Sequence, residues 1–490
     1  MKNSNLFNGS NTKVIMWLLS LLIWSVIKIE IRVLAASGML GTGFPEESLQ
    51  KGLAMRPHFI GVDAGSTDSG PTDLATGVCR YSEAAYRRDL KLLLAGAVEH
   101  NIPLIIGSAG GAGGDKNVDW TKGLIEDIIS QLNLSLKMAV IYSGQDKDWL
   151  KQKLAAGKIR LLENAPELTA SVIDESITIV GMMGSEPIIE ALKNGANVVL
   201  AGRATDTSIF ASLPIMNGAH EGSAWHAAKI LECGAAAVEH RPSPDCMFAT
   251  IQGESFIIQA PNEALRCTPT SVAAHSLYEN ADPFKIIEPS GILDTTDSIY
   301  EAVNDKVVKV TGSKFEKSEK FTIKLEGTRL AGYQTIVVAG IRDPLILESL
   351  DKFLESCETS IKKRIKNTYP DLSEDDWKVY FRVYGRNGVM EKREPTPVIG
   401  HEVGLIIEAT AQTQKLASSI ASVARHQTLH VSVPGWFGFT SNIALPYGAN
   451  DLVRGPVYEF NINAVVEPDS TDEMFKTFYF DYPKVESEVK

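Results

Sequence analysis

Disulfide and zinc chemistry have little to work with in this chain. Its 490 residues contain five cysteines, Cys79, Cys233, Cys246, Cys267 and Cys357. Their number is odd, they lie far apart, and no CxxC pair occurs. A disulfide framework and a thiolate zinc site are thereby disfavoured, and unpaired thiols fit a reducing compartment. Cys233 alone is read as a candidate nucleophile, against the plainer reading of a small core residue. Positive charge is also scarce: 48 Lys and Arg stand against 60 Asp and Glu, a formal net charge of −12. Without a basic face to neutralise phosphates, duplex nucleic acid is not a partner. A small anion is not excluded, because a few local donors can hold one. Low-complexity tracts and repeats of 20–50 residues are missing too, which argues against disorder and against a solenoid.

Only one long apolar run occurs, over residues 14–27, behind Lys2 and Lys13. It is shorter than the roughly 20 residues of a spanning helix. It resembles the core of a secretory signal, yet its small-residue exit, Leu34-Ala35-Ala36-Ser37, falls inside the first predicted strand. The fold is therefore expected to begin near Lys28, with 1–27 an over-extended start outside it. The expected location is cytoplasmic, and a membrane enters only if the leader is genuine.

What the chain does have is a rhythm of short apolar, β-branched runs at 29–35, 59–62, 103–106, 138–142, 177–180 and 197–200. Helical patterns separate them, at 82–100, 120–132 and 187–194, with another at 223–238. Strands apolar throughout and separated by helices predict a parallel sheet covered on both faces. We read residues 28–332 as a doubly wound α/β domain, with a (β/α) barrel as the lesser option and a polar, strand-rich connecting piece at its end. Residues 333–466 follow the order β-α-β-β-α-β, a ferredoxin-like α+β pattern. The charged segment 467–490 reads as a loose tail.

Four predicted strands end in loops rich in glycine, hydroxyls and aspartate: Ser37-Gly38-Met39-Leu40-Gly41-Thr42-Gly43, Asp63-Ala64-Gly65-Ser66-Thr67-Asp68, Gly107-Ser108-Ala109-Gly110-Gly111-Ala112-Gly113-Gly114-Asp115, and Gly202-Arg203-Ala204-Thr205-Asp206-Thr207. Parallel strands end on one edge of a sheet, where ligands bind, so the four loops should converge. Backbone amides at Gly38, Gly41, Gly43, Gly110 and Gly111, with the hydroxyls of Ser66, Thr67 and Thr205, would face a small anionic ligand. Arg203 would fork onto its carboxylate or phosphate. Asp63, Asp115 and Asp206 are the candidate acids and bases. Grouped carboxylates raise one another's pKa or bind a divalent cation, whereas any one alone is the usual helix N-cap. The first loop lacks GxGxxG spacing, which disfavours NAD, and the third lacks the lysine and hydroxyl that end a P-loop. Ser66 and Ser108 stand in no G-x-S-x-G elbow. His226 and His275 are candidates only for want of better histidines. Val433-Pro434-Gly435-Trp436 reads as a rigid turn.

These loops, together with Lys229-Ile230-Leu231-Glu232-Cys233-Gly234, Leu277-Tyr278-Glu279-Asn280-Ala281-Asp282-Pro283 and Gly455-Pro456-Val457-Tyr458-Glu459-Phe460, resemble the acyclic terpene utilisation family of AtuA-like proteins. The resemblance runs from about residue 29 to 463. It implies a large α/β region followed by a small ferredoxin-like one. It also implies a place in the breakdown of citronellol- and geraniol-type compounds through branched acyl-CoA thioesters, without naming a reaction. The combined expectation is an enzyme of lyase, hydratase or hydrolase type on a carboxylate or its acyl-CoA thioester. The alternative is a non-catalytic binding or assembly subunit. Substrate, metal and oligomeric state stay open, a homo-oligomer among the options.

Overall fold

The β-branched runs pair into one open ten-stranded sheet in the computed structural model, which describes residues 29–396, 398–432 and 441–485. The apolar leader 1–27 and the turn at 433–436 lie outside those residues. Among the described residues no helix is long and apolar enough to cross a membrane. The chain divides into two units, Met1–Thr328 with Phe460–Lys490, and Arg329–Glu459.

In the first unit the strands Glu30–Ala35, Phe59–Gly65, Leu104–Gly111, Val198–Ala201 and Leu136–Tyr142 lie side by side and parallel. Successive side chains point to opposite faces, so each strand feeds two cores. Val33, Phe59, Ile105, Ile141 and Val199 face the helices Ser185–Lys193, Asp206–Met216 and Glu221–Leu231. Leu34, Ile60, Leu104, Val140 and Val198 face Glu46–Ala54, Glu83–Glu99 and Asp115–Leu132. Both faces are covered, which is why the strands read as apolar without alternation. The sheet is open, so the barrel option is not realised.

Antiparallel strands extend both edges and make the sheet mixed. Beyond Glu30–Ala35 come Met247–Gln252, Ser255–Gln259, Val308–Thr311 and Ile299–Ala302. Part of the connecting piece therefore belongs to this sheet. At the other edge Lys476–Tyr482 pairs with Leu136–Tyr142, correcting the loose tail. Its aromatic alternation, with Phe480 and Tyr482 packed on the core, outweighs the charge around it. A second correction concerns 177–180. Thr178–Met182 is a strand, but it pairs antiparallel with Lys324 to Thr328 instead of joining the parallel set.

In the second unit the strand order is Trp377–Tyr384, Val403–Ala411, then the part of Ile323–Ile341 from Arg329 on, then the part of Leu452–Val466 up to Glu459. Val403, Leu405 and Ile407 are buried with Phe353, Cys357 and Ile361 of the helix Leu350–Thr368 and Ala417, Ile420 and Ala424 of Gln414–His430.

Candidate functional site

The glycines at the strand ends mostly let the chain approach itself. A β-bulge lies between Asp63 and Gly65, and Gly65 sits against Gly111, where a Cβ would collide with the Ser108 carbonyl. Gly113, at φ +70°, presses on the Arg203 backbone in the same way. The amides of Gly41 and Gly43 donate to Asp89 Oδ2 at 3.0 and 3.1 Å, and Gly38 packs on the Cys233 carbonyl. Gly110 donates to the Tyr86 hydroxyl at 2.9 Å, and the Gly111 carbonyl accepts from Ser66 N at 3.0 Å. The predicted ligand cradle thus binds groups of the protein itself.

Arg203 is similarly occupied. Its Nε donates to Glu326 Oε2 at 3.0 Å, Nη2 to Thr67 Oγ1 at 3.2 Å and Nη1 to Ser108 Oγ at 3.3 Å. Thr67 Oγ1 donates in turn to Glu326, and Lys324 Nζ supports the same carboxylate at 2.9 Å. Arg203 and Glu326 are only 7% and 8% exposed at the side chain. Burial would raise the Glu326 pKa, but the Arg203 and Lys324 charges win and hold it at about 2. The expected fork exists, but it grips an internal carboxylate rather than a ligand. Ser108 is fully buried at φ +47° and is fastened to Arg203 and Ala204.

Acids gather around this pair. Asp63 is 3% exposed, and its Oδ1 accepts from Ala64 N at 2.9 Å and Gly65 N at 3.4 Å. Burial and the nearby Asp206 charge push its pKa well up, with Arg203 pulling back. Asp206 opens the helix Asp206–Met216 but does not cap it; Thr205 does, accepting from Ser208 N. The Asp206 carboxyl is half-buried, and its pKa is raised first by burial, then moved down by Arg203, up by Asp68 and down by Lys229. Ser66 Oγ is turned to Asp68 Oδ2 at 2.5 Å. Glu288 accepts from Thr205 Oγ1 at 2.8 Å and from Thr207 Oγ1, and burial lifts its pKa to about 7. Lys229 Nζ meets Glu232 Oε1 at 2.5 Å, and burial pushes Glu232 up to about 8 against that pull. The Cys233 thiol beside them is raised by burial and by Glu232, the reverse of an activated nucleophile.

The family model described as "Acyclic terpene utilisation family protein AtuA" matches residues 75–449. The chain belongs to this family. No curated protein and no solved structure matches it. In this AtuA-family chain the matched span includes Asp115, Arg203, Asp206, Lys229, Glu232, Glu288 and Glu326. The first glycine loop and the Asp63 loop precede it.

Asp115 does not join the acid cluster. Its Oδ1 accepts from Gly144 N at 2.9 Å, and it lines a separate cleft of about 400 Å³ with Lys116, Asn117, Gln145 and Lys476. Gly114, not Asp115, is the N-cap of the helix there. His226 is a satisfied core residue, bonded to Ser313 at 2.7 Å and Ser276 at 2.8 Å, and burial drops its pKa to about 3. His275 stacks on Tyr278 and is lowered to about 4. Among the described residues no three His, Cys, Asp or Glu side chains are grouped to hold a metal ion. Sequence reasoning missed Glu326, Glu288, Lys229 and Glu232. The only available signal was acids and a lysine set in apolar surroundings, as in Lys229-Ile230-Leu231-Glu232.

Proposed function

We propose that this AtuA-family protein is an acid–base enzyme of acyclic terpene catabolism, acting on a small branched carboxylate or its acyl-CoA thioester. The observation that carries the reading is Asp206: a carboxyl at a strand-end helix start, excused from capping by Thr205, half-buried, with its charge raising the pKa of the buried Asp63. Two carboxyls in one another's field share protons, so one can donate while the other accepts. Such a pair suits removal of a proton next to a thioester carbonyl, or protonation of a leaving group, as a lyase, hydratase or hydrolase requires. Arg203 is a positioning residue here, because Glu326, Thr67 and Ser108 already hold its guanidinium. We assign the Lys229 ammonium to meet a substrate's negative charge, released when Glu232 takes a proton. We further read the second unit as ferredoxin-like, on its strand order and its two helices packed on one sheet face, and the protein as cytoplasmic, on its free thiols.

The test pairs turnover with folding. Purified protein is assayed against acyclic branched carboxylates and their CoA thioesters, with Asp206→Asn and Asp63→Asn alongside. Both variants should melt within a few degrees of the parent and lose at least about a hundredfold in turnover, the usual worth of a general acid or base. Turnover within twofold of the parent in both variants would overturn the acid–base assignment. Ligand-induced stabilisation with no turnover by any variant or the parent would favour the binding-subunit alternative.

A further inference from the structure

Away from the acid cluster, the first unit contains a cleft of about 470 Å³ between the helices Ser185–Lys193 and Glu221–Leu231. Ile189, Ile215 and Phe315 supply apolar wall. Trp225 is 1% exposed and stacks on Phe315 with ring centroids 5.3 Å apart and planes at 16°. Two residues that line this cleft each carry a buried polar atom with no hydrogen-bond partner, Trp225 at its indole Nε1 and Glu186 at Oε2. Each such group costs about 1–3 kcal/mol if it stays unmet, and buried polar groups are ordinarily satisfied. Glu186 Oε2 lies 2.7 Å from where a Cβ on Gly184 would stand, so a larger residue at 184 would displace it.

We propose that this cleft is a binding site for an uncharged small molecule with an apolar body and an alcohol or primary-amide head. The indole N–H can only donate, so it needs an acceptor. Burial raises the Glu186 pKa, and at a pH above that raised value its carboxylate only accepts, so it needs a donor. A hydroxyl or an amide supplies both from one head group, whereas a carboxylate supplies only acceptors and would face Glu186 as a like charge. The rim gives an anion no compensation: Glu190, Glu221 and Asp472 stand against Lys193 and Lys317, and Lys317 is already paired with Glu221 at 2.9 Å. The apolar walls then take the hydrocarbon part, as in small-molecule pockets generally.

The experiment is a titration of the full chain with 1-hexanol, hexanamide and hexanoate, read from the ¹⁵N–¹H signals of the tryptophan indoles. Trp225 is assigned as the signal that disappears in Trp225→Phe. Hexanol and hexanamide should shift that signal saturably, and hexanoate should not. Glu186→Ala should weaken hexanol at least about tenfold, the loss of one hydrogen bond to a buried partner. Glu186→Gln keeps a carbonyl acceptor and should stay within a few-fold of the parent. Should Trp225→Phe fold poorly, the affinities of the parent, Glu186→Ala and Glu186→Gln for the same three compounds are read by isothermal titration calorimetry, which needs no assignment. No saturable shift with hexanol or hexanamide, equal binding of hexanoate, or unchanged affinity in Glu186→Ala would each overturn it.

Discussion

Removing one member of the Arg203–Glu326 pair takes from the other buried charge its direct ion partner. Glu326→Gln should therefore cost about 3–5 kcal/mol at neutral pH, while a double Arg203→Met, Glu326→Leu variant should recover most of that loss. Urea unfolding of the three proteins checks this; equal stability of single and double variants would contradict it. The pH sign follows from a depressed carboxylate. Glu326 stabilises the fold above its unfolded value of 4.5, and the contribution fades as pH falls toward about 2. Glu288 has the opposite sign. Its folded pKa is raised from 4.5 to about 7, so below pH 4.5 it costs nothing. Between 4.5 and 7 the unfolded chain gives up a proton that the fold retains, and stability falls. Above 7 the penalty is complete, on the order of 3 kcal/mol. Glu288→Gln should thus gain on the parent as pH rises from 4.5 to 7.5. A difference in unfolding free energy that does not change over that range would refute the burial of an ionisable group here.

At the scale of elements, two glycines close to one another in sequence should behave in opposite ways. Gly113 has φ +70° and touches the Arg203 backbone where strand ends meet. Gly113→Ala would strain a left-handed position and push Arg203, whose amide donates to Ser143 Oγ at 2.9 Å, away from Ser143 and Glu326, so it should lower both stability and turnover. Gly123 lies inside the helix Asp115–Leu132 with nothing within 4 Å of an added Cβ. Gly123→Ala should raise stability by about 0.5–1 kcal/mol through helix propensity alone. Thermal melts of the two variants decide the matter, and a stabilising Gly113→Ala would mean that the close approach is not needed. The loops were legible as glycine-rich strand ends. Their internal engagement was not, because whether an amide faces a ligand or Asp89 depends on a helix 46 residues further along the chain.

For the whole molecule, the edge strand Lys476–Tyr482 makes the C-terminus part of the large sheet. Ending the chain at residue 470 would uncover Leu136–Tyr142 as a bare edge and expose the core beside Phe480 and Tyr482. The shortened protein should melt several degrees lower and associate in solution, as seen by light scattering. An unchanged melting point and a monodisperse sample would place this strand outside the cooperative fold. Local pattern was enough to locate the parallel strands, their helices and the acids and glycines at their ends, because periodicity and turn chemistry are properties of neighbouring residues. Only the tertiary structure decided which strands became neighbours. Val198–Ala201 enters between Leu104–Gly111 and Leu136–Tyr142, Thr178–Met182 leaves for Lys324 to Thr328, and Glu326 arrives from 123 residues away to take Arg203. It also separated Asp115 from Asp63 and Asp206. Pairing across such distances is settled by the closure of the sheet and by which buried charge needs a partner, and neither condition is written in any local stretch of sequence.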